Sequence, residues 1–257
     1  MIDSRVIADR LIEAERTRTP ITPFTNTNPF LDAGTAYEAQ WHVVEHRLAG
    51  GEDIAGAKLG LTSRVKRDAL GIHEPLYGWL TTGMLTGYGD PVPLGRLIGP
   101  RAEPEVAFLF KAAPEPPATI ASVLAATEAV LAAVEIMDSR YNGRFRFADS
   151  VADNAGAARV VLGSAPRSPS ELEDLKLLGC VFRSGGEVVG TAAAGAAMGH
   201  PAAAVAWLVN TLAPRGHYLA AGTIVLTGGL TAAVPLGRGS VVSAEFDGLG
   251  SIDVVAG

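Results

Sequence analysis

The chain holds a single cysteine, Cys180, so an internal disulfide is excluded. Its setting, LKLLGCVF, predicts a small buried hydrophobe in a reducing compartment, the cytoplasm. Basic excess is also missing. The formal net charge is −6, with both signs spread along the sequence, which argues against nucleic acid or an anionic membrane as a partner. Long apolar runs are absent as well. The Ala-rich stretch from Ile120 to Met137 is interrupted by Glu128 and Glu135, and that from Thr191 to Leu212 by Gly199, His200 and Pro201. Neither offers the roughly 20 apolar residues of a membrane span. The opening MIDSRVIADRLIEAERTRTP is charged throughout, unlike a secretory signal. No internal repeat is visible, and a soluble protein is expected.

What is present is a large apolar complement, 48% of 257 residues, enough for one sizeable core with a small appendage. Apolar periodicity predicts helices over Ser4–Thr17 and Thr35–Leu48, then a strand over Asp53–Leu59. Val65 to Gly87 mixes glycines with apolar side chains. That composition fits a mobile flap with a greasy underside or, equally, a long structured loop. Further strands are expected at Ile98–Lys111, Leu131–Met137, Leu175–Arg183, Glu187–Val189, Gly222–Thr227, Ser240–Phe246 and Ser251–Val255. Helices are expected at Thr119–Ala126 and Pro201–Leu212. Ser184-Gly185-Gly186 reads as a hairpin turn. Helices first and mostly strands afterwards make an α+β protein, a helical arm over residues 1–52 on a β-rich core over 53–257.

The chemistry centres on PRAEPEVAF. In a strand, Glu103 and Glu105 share a face while Val106 and Phe108 take the other. Two carboxylates in one space repel unless a cation joins them, and Mg²⁺ or Mn²⁺ prefers such oxygens. The alternative is a solvated edge strand marked by Pro104. Glu135 ends the buried run LAAVEIM and needs a partner. It serves either as a third oxygen ligand or in a salt bridge to Arg140 or Arg101. Asp153 and Asn154 could cap a turn or orient a ligand. HVVEH, His42 to His46, matches a zinc-protease spacing, but without a third ligand it reads as a solvated helix face. His73-Glu74 could do acid–base work on a closing flap, although a loop histidine is usually inert.

KLGLTS, PRAEPEVAF, VEIMDSRY, VADNA, GHP and LTGGLTAAVP, in this order and spacing, resemble the fumarylacetoacetate hydrolase superfamily, in the branch that holds hydratases and decarboxylases of aromatic meta-cleavage pathways. The resemblance spans nearly the whole chain. It implies a mixed β-sandwich roll with Mg²⁺ or Mn²⁺ held by Glu103, Glu105 and Glu135, Lys58 beside the ion and Asp153 in support. It also implies a lid at about 63–83. Substrate contacts are expected at Leu61, Ser63, Arg140, Gly228 and Thr231, with Gly229 alongside, while Arg144 and Arg146 read better as a solvated patch. The implied substrate is a 2-oxo dicarboxylate, 2-oxohex-3-enedioate, losing CO₂. The alternatives are hydration of 2-hydroxypenta-2,4-dienoate and a catalytically silent scaffold. Implied partners are further copies of the chain and the hydratase of the same pathway, with no nucleic acid and no membrane.

Overall fold

The N-terminal helices follow directly from apolar spacing and caps. The structure, a computed structural model, describes residues 2–257. Helix α1 (Ser4–Thr17) is capped by Asp3, which accepts from the Arg5 amide, and it buries Ile7, Ala8, Leu11 and Ala14. Helix α2 (Ala33–Ala49) is capped by Asp32, which accepts from the Thr35 amide. Both caps satisfy amides that have no partner within the helix.

The remainder is two sheets with helices at their margins. Strand β1 (Ile54–Gly60), helix α3 (Arg64–Leu70), β2 (Leu76–Thr81) and the two-residue β3 (Leu85–Thr86) come first. The long strands β4 (Arg101–Phe110) and β5 (Thr127–Met137) are joined through α4 (Ile120–Ala126). Then come α5 (Phe147–Ala152), β6 (Ala157–Leu162), β7 (Gly179–Ser184), β8 (Glu187–Ala193) and α6 (Pro201–Leu212). The chain closes with β9 (Ile224–Leu226), β10 (Val234–Pro235), β11 (Val241–Phe246) and β12 (Gly250–Val255). The main sheet runs β2-β1-β9-β4-β5-β6-β3 with β10 on β4, and the smaller one runs β12-β11-β7-β8. The expected α+β architecture is present. Gly185 and Gly186, at φ 58° and 87°, form the tight β7–β8 turn, a conformation that favours glycine.

Alternation in β4 and β5 separates two environments. Val106, Phe108, Phe110, Val130, Val134 and Ile136 face the larger core, while Ala107, Leu109, Leu131 and Ala133 face a smaller one. Glu103, Glu105 and Glu135 continue the second face.

Three expectations need correction. Strand β4 is central, paired to β5 on one side and to β9 and β10 on the other, so Pro104 does not mark an edge. It lies between the stretches of β4 that pair with β10 and β9, where no ladder bond from its nitrogen is needed. The lid cannot extend over 63–83: β2 is buried along its whole length and paired to β1, leaving only α3 and the loop to Pro75 above the sheet. Leu175–Leu177 is a 3₁₀ turn rather than strand, because Asp174 caps it by accepting from the Lys176 amide.

The N-terminal arm is packed firmly on the core. Tyr37 stacks on Tyr77 at 4.5 Å between ring centroids, and Trp41 meets Trp79 edge-on at 5.5 Å. Buried Gln40 donates to the carbonyls of Tyr77, at 2.9 Å, and Val151, at 2.8 Å, tying α2 to β2 and α5. Cys180 is buried as expected, and burial pushes its thiol up to about 12. Replacing Gln40 with Leu would remove the side-chain donor from two buried carbonyls, and urea unfolding should show a loss of about 2–4 kcal/mol. A loss under about 0.5 kcal/mol would contradict the tether.

Candidate metal centre

Register places the three glutamates together. Glu103 lies directly opposite Glu135 in the antiparallel β4–β5 pair, and Glu105 is two residues along the same face. One carboxylate oxygen from each lies within 4.8 Å of the others. Glu105 and Glu135 are fully buried. Lys58 reaches the same face through its neighbour: β1 runs parallel to β9 with Lys58 beside Leu226, and Leu226 sits opposite Ala107 on β4.

Lys58 Nζ stands 3.0 Å from Glu135 Oε2 and donates to the Ala155 carbonyl at 3.0 Å. Lys66 Nζ lies 3.8 Å from Glu103 Oε1 and donates to the carbonyls of Gly229 and Thr231. Burial works against the Lys58 ammonium, but Glu135 first and Glu105 next outweigh it and hold its pKa above the usual value. Burial, followed by Glu135, raises Glu105 well above the carboxylate range, and burial also raises Glu103.

These residues fit a divalent cation. Glu105 Oε2 accepts from the Gly228 amide at 2.6 Å and Glu135 Oε2 has the Lys58 ammonium beside it, yet among the described residues Glu105 Oε1 and Glu135 Oε1 have no hydrogen-bond donor. Buried carboxylate oxygens are rarely left so. Three carboxylates against one buried lysine leave two negative charges to be balanced, which is what Mg²⁺ or Mn²⁺ carries. Among the described residues no other cluster of His, Cys, Asp or Glu has comparable geometry. In HVVEH, His42 pairs with Glu45 on the helix surface.

The TGG segment owes its glycines to this centre. A side chain on Gly229 would place its Cβ 1.9 Å from Glu103 Oε2, and Gly228, at φ 101°, would meet Thr62 Oγ1 at 2.2 Å. The Gly228 amide is taken up by Glu105 Oε2.

Beside the centre opens a pocket of about 680 Å³. Lys58, Leu61, Ser63, Glu103, Asp153 and Gly229 line its inner part, with Leu70, Ile72 and Leu76 as an apolar wall. Lys66, Arg101 and the exposed Arg144 and Arg146 also line it; Lys66 stands at the centre beside Glu103, and Arg101 donates to the Ala233 carbonyl. Leu61 (φ 57°) turns the chain out of β1 over the pocket, and Ser63 caps α3 there.

Two expected substrate contacts point elsewhere. The Arg140 guanidinium is buried and engaged by the Asp153 carboxylate, the Asp153 carbonyl and the Ala157 carbonyl, and it does not line this pocket. Thr231 donates to the Ala232 carbonyl and lies against Gly190. Arg144 and Arg146, read as a solvated patch, do line the pocket. Asp153 is held by Arg140, the Arg140 amide and Ser139 Oγ. Burial pushes its carboxyl up to about 6 against the pull of Arg140, so it is ionised at neutral pH. Sequence reasoning missed Lys66, and it placed a turn at Asp153 and Asn154 without the left-handed backbone of Asn154 and Ala155 (φ 50° and 55°). That turn aims the Ala155 carbonyl at Lys58, and no glycine at these two positions signals it.

Fold and centre together define a β-rich protein of the fumarylacetoacetate hydrolase type, built around a three-carboxylate cluster. Residues 58–255 match the family model described as fumarylacetoacetate (FAA) hydrolase C-terminal. The chain is 39% identical over 248 residues to a 4-oxalocrotonate decarboxylase from Pseudomonas sp. (strain CF600), covering 96% of this chain and 94% of that one. It is 38% identical to a 2-hydroxyhexa-2,4-dienoate hydratase from Comamonas testosteroni, covering 95% and 94%. The solved 4-oxalocrotonate decarboxylase from Pseudomonas putida G7, complexed with magnesium and adipate, superposes with a TM-score of 0.94 at 37% identity, covering 98% of this chain and 97% of that one. The chain belongs to the fumarylacetoacetate hydrolase family, in its hydratase/decarboxylase branch.

Because the folded state disfavours ionised Glu105 and Glu103, the unfolded chain releases their protons first. Protonation stabilises the metal-free fold below the ordinary carboxylate range, and that contribution is lost as pH rises through the raised values. A bound cation favours the ionised forms, so the gain in Tm on adding Mg²⁺ should be larger at about pH 8 than at about pH 5. An equal gain at both would contradict the assignment. Asp153→Asn would leave the Arg140 charge buried without its carboxylate, and urea unfolding should show a loss of about 3–5 kcal/mol; unchanged stability would contradict the pairing.

Proposed function

We propose that the chain catalyses metal-dependent decarboxylation of 2-oxohex-3-enedioate to 2-hydroxypenta-2,4-dienoate and CO₂. The observation that carries this is one pocket lined both by Glu103 of the three-carboxylate centre and by the exposed Arg144 and Arg146. The centre suits a cation that chelates an α-keto acid, and the arginines suit a second carboxylate. The adipate in the related P. putida G7 enzyme is a diacid of the same six-carbon length. A second reading, hydration of 2-hydroxypenta-2,4-dienoate, is supported by the near-equal identity to the Comamonas hydratase.

Glu103, Glu105 and Glu135 would hold Mg²⁺ or Mn²⁺, which when bound supplies Lewis acidity toward the keto oxygen and the charge that grows on it. The bond between C5 and C6 breaks, and its electron pair moves through the C3–C4 double bond to the C2 oxygen. The C6 carboxylate leaves as CO₂, and a proton from solvent completes the dienol. Lys58 fixes Glu135 and places positive charge beside the growing enolate. The Gly228 amide fixes Glu105. Leu61, Leu70 and Ile72 present apolar surface to the conjugated carbons and keep water from them. Arg144 and Arg146 are exposed, so their grip on the C6 carboxylate is screened by solvent. A weak hold suits a group that must lose its charge to depart, since strong ground-state binding there would raise the barrier.

With Mg²⁺ or Mn²⁺ the purified protein should release CO₂ from the diacid and accumulate the dienol, and chelation should stop it. Glu105→Gln should lower kcat/KM by at least about a hundredfold. Arg144→Gln with Arg146→Gln should raise KM roughly two- to fivefold at near-constant kcat. Formation of 4-hydroxy-2-oxopentanoate from the dienol, with no CO₂ from the diacid, would establish the hydratase reading instead.

A further inference from the structure

A second cavity, of about 500 Å³, lies between α1, α2, the loop at Gly95–Leu97 and the far end of the main sheet. It shares no lining residue with the substrate pocket. Its walls carry Arg16, Arg18, Arg47, Arg96, Arg140 and Arg159. The acidic residues there are Glu15, Glu52 and Asp138, and each is already engaged. Glu15 pairs with Arg47 at 2.5 Å. Glu52 accepts from Thr81 Oγ1, from the Gly83 amide at 3.1 Å and from Arg47. Asp138 accepts from the amides of Ile98, at 2.8 Å, and Gly99, at 2.7 Å.

The arginines divide by the same accounting. Arg16 pairs with Glu13, Arg47 with Glu15 and Glu52, and Arg140 with Asp153. Among the described residues, no carboxylate comes within ion-pair reach of Arg18, Arg96 or Arg159. Arg18 donates only to the Gly95 carbonyl and Arg159 only to its neighbour's carbonyl at Ala158. Arg159 projects from β6 and is half-buried. Burial, with Arg47 behind it and Arg96 adding to it, pushes its pKa below the usual value, and the pull of Glu15 does not cancel this. Guanidinium groups converging on a concave site, with their acidic neighbours occupied, match the planar oxygens of carboxylate and phosphate groups.

We propose that this cavity is a binding site for a small dianion bearing carboxylate or phosphate oxygens, held by Arg159 and Arg96 with Arg18 at the rim. A cavity of this volume with walls from four elements suits a small molecule rather than a flat protein surface. The inference is independent of the reaction proposed above, because it uses none of the residues of the metal centre or its pocket.

The test is calorimetric titration with inorganic phosphate and, separately, succinate at constant ionic strength. The full chain is used with Arg144→Gln and Arg146→Gln in place, so that the substrate pocket contributes little, and with chelator present. Saturable binding of at least one anion at one site per chain is expected. Adding Arg159→Gln, or the exposed Arg96→Gln, should weaken it by roughly tenfold or more. The anion that binds more tightly identifies the ligand as dicarboxylate or phosphate. Without anion, Arg159→Gln should keep or raise Tm, since it relieves repulsion from Arg47 and Arg96, whereas a purely structural arginine would lower it. No saturable binding of either anion, or binding that survives both substitutions, would overturn the site. Decarboxylase assays on the otherwise unchanged chain report separately on the metal centre.

Discussion

Three carboxylates crowded on one buried sheet face are the constraint from which the rest of the molecule follows. Two unit charges about 4 Å apart repel by about 4 kcal/mol at the effective dielectric of a protein site. The cluster contains three such pairings, and the one fully buried cation, Lys58, is shared among them. An arrangement of this kind persists only if surrounding structure enforces it and a cation relieves it. The enforcement is visible in the β4–β5 register, which sets Glu103 against Glu135. It is visible again in the glycine pair that lets backbone approach where a side chain would strike Glu103 or Thr62.

The sheet order explains how residues distant in sequence meet. Lys58 and the glutamates are separated by the inserted strand β9, which joins β1 in parallel and β4 in antiparallel pairing. Because alternation is preserved across each pairing, Lys58, Leu226 and Ala107 fall on one face. Shifting any one strand by a residue would turn the lysine or a glutamate into the larger apolar core, at the cost of an unpaired charge. Register in this sheet is thus held from both sides, by the aromatic and aliphatic packing of one face and by the charges of the other.

Much of this was legible in the chain. Helix α1 and helix α6 were readable to their ends, because Pro201 and polar caps mark where regular spacing begins. The three glutamates were legible as a set through the family resemblance, since Glu-x-Glu by itself also fits a solvated strand and Glu135 a salt bridge to Arg140 or Arg101. What could not be read was anything decided by long-range pairing. Pro104 suggested an edge, since nothing local shows that β9 and β10 leave a gap at its position. Gly78 and its apolar neighbours suggested a flap, yet Gly78 lies tight against Asn154, whose carbonyl would be 2.3 Å from an added Cβ. That close fit is a tertiary fact. Arg140 was misplaced for a similar reason. A strand-end arginine near a substrate site is a natural anion contact until a buried carboxylate claims it.

The reassignment of Arg140 bears on what separates the reactions of this branch. Arg140 and Asp153 together form the partition between the two cavities, the arginine facing one and the carboxylate facing the other. A buried pair that satisfies itself is a poor choice for holding a substrate carboxylate, since binding one would leave Asp153 uncompensated. The cations left for that duty are Arg144 and Arg146, in the loop before α5, since Lys66 stands beside Glu103 and Arg101 donates to the Ala233 carbonyl. Loops and short helices vary without disturbing the sheet, while the carboxylate centre is locked into it. A metal-held α-keto acid is common ground for losing CO₂ and for adding water. The choice between them therefore rests on whether the loop residues receive a second carboxylate or leave space for a nucleophile. In this chain Arg144 and Arg146 line the pocket with no carboxylate within ion-pair reach among the described residues, and a monoacid would leave them unmatched.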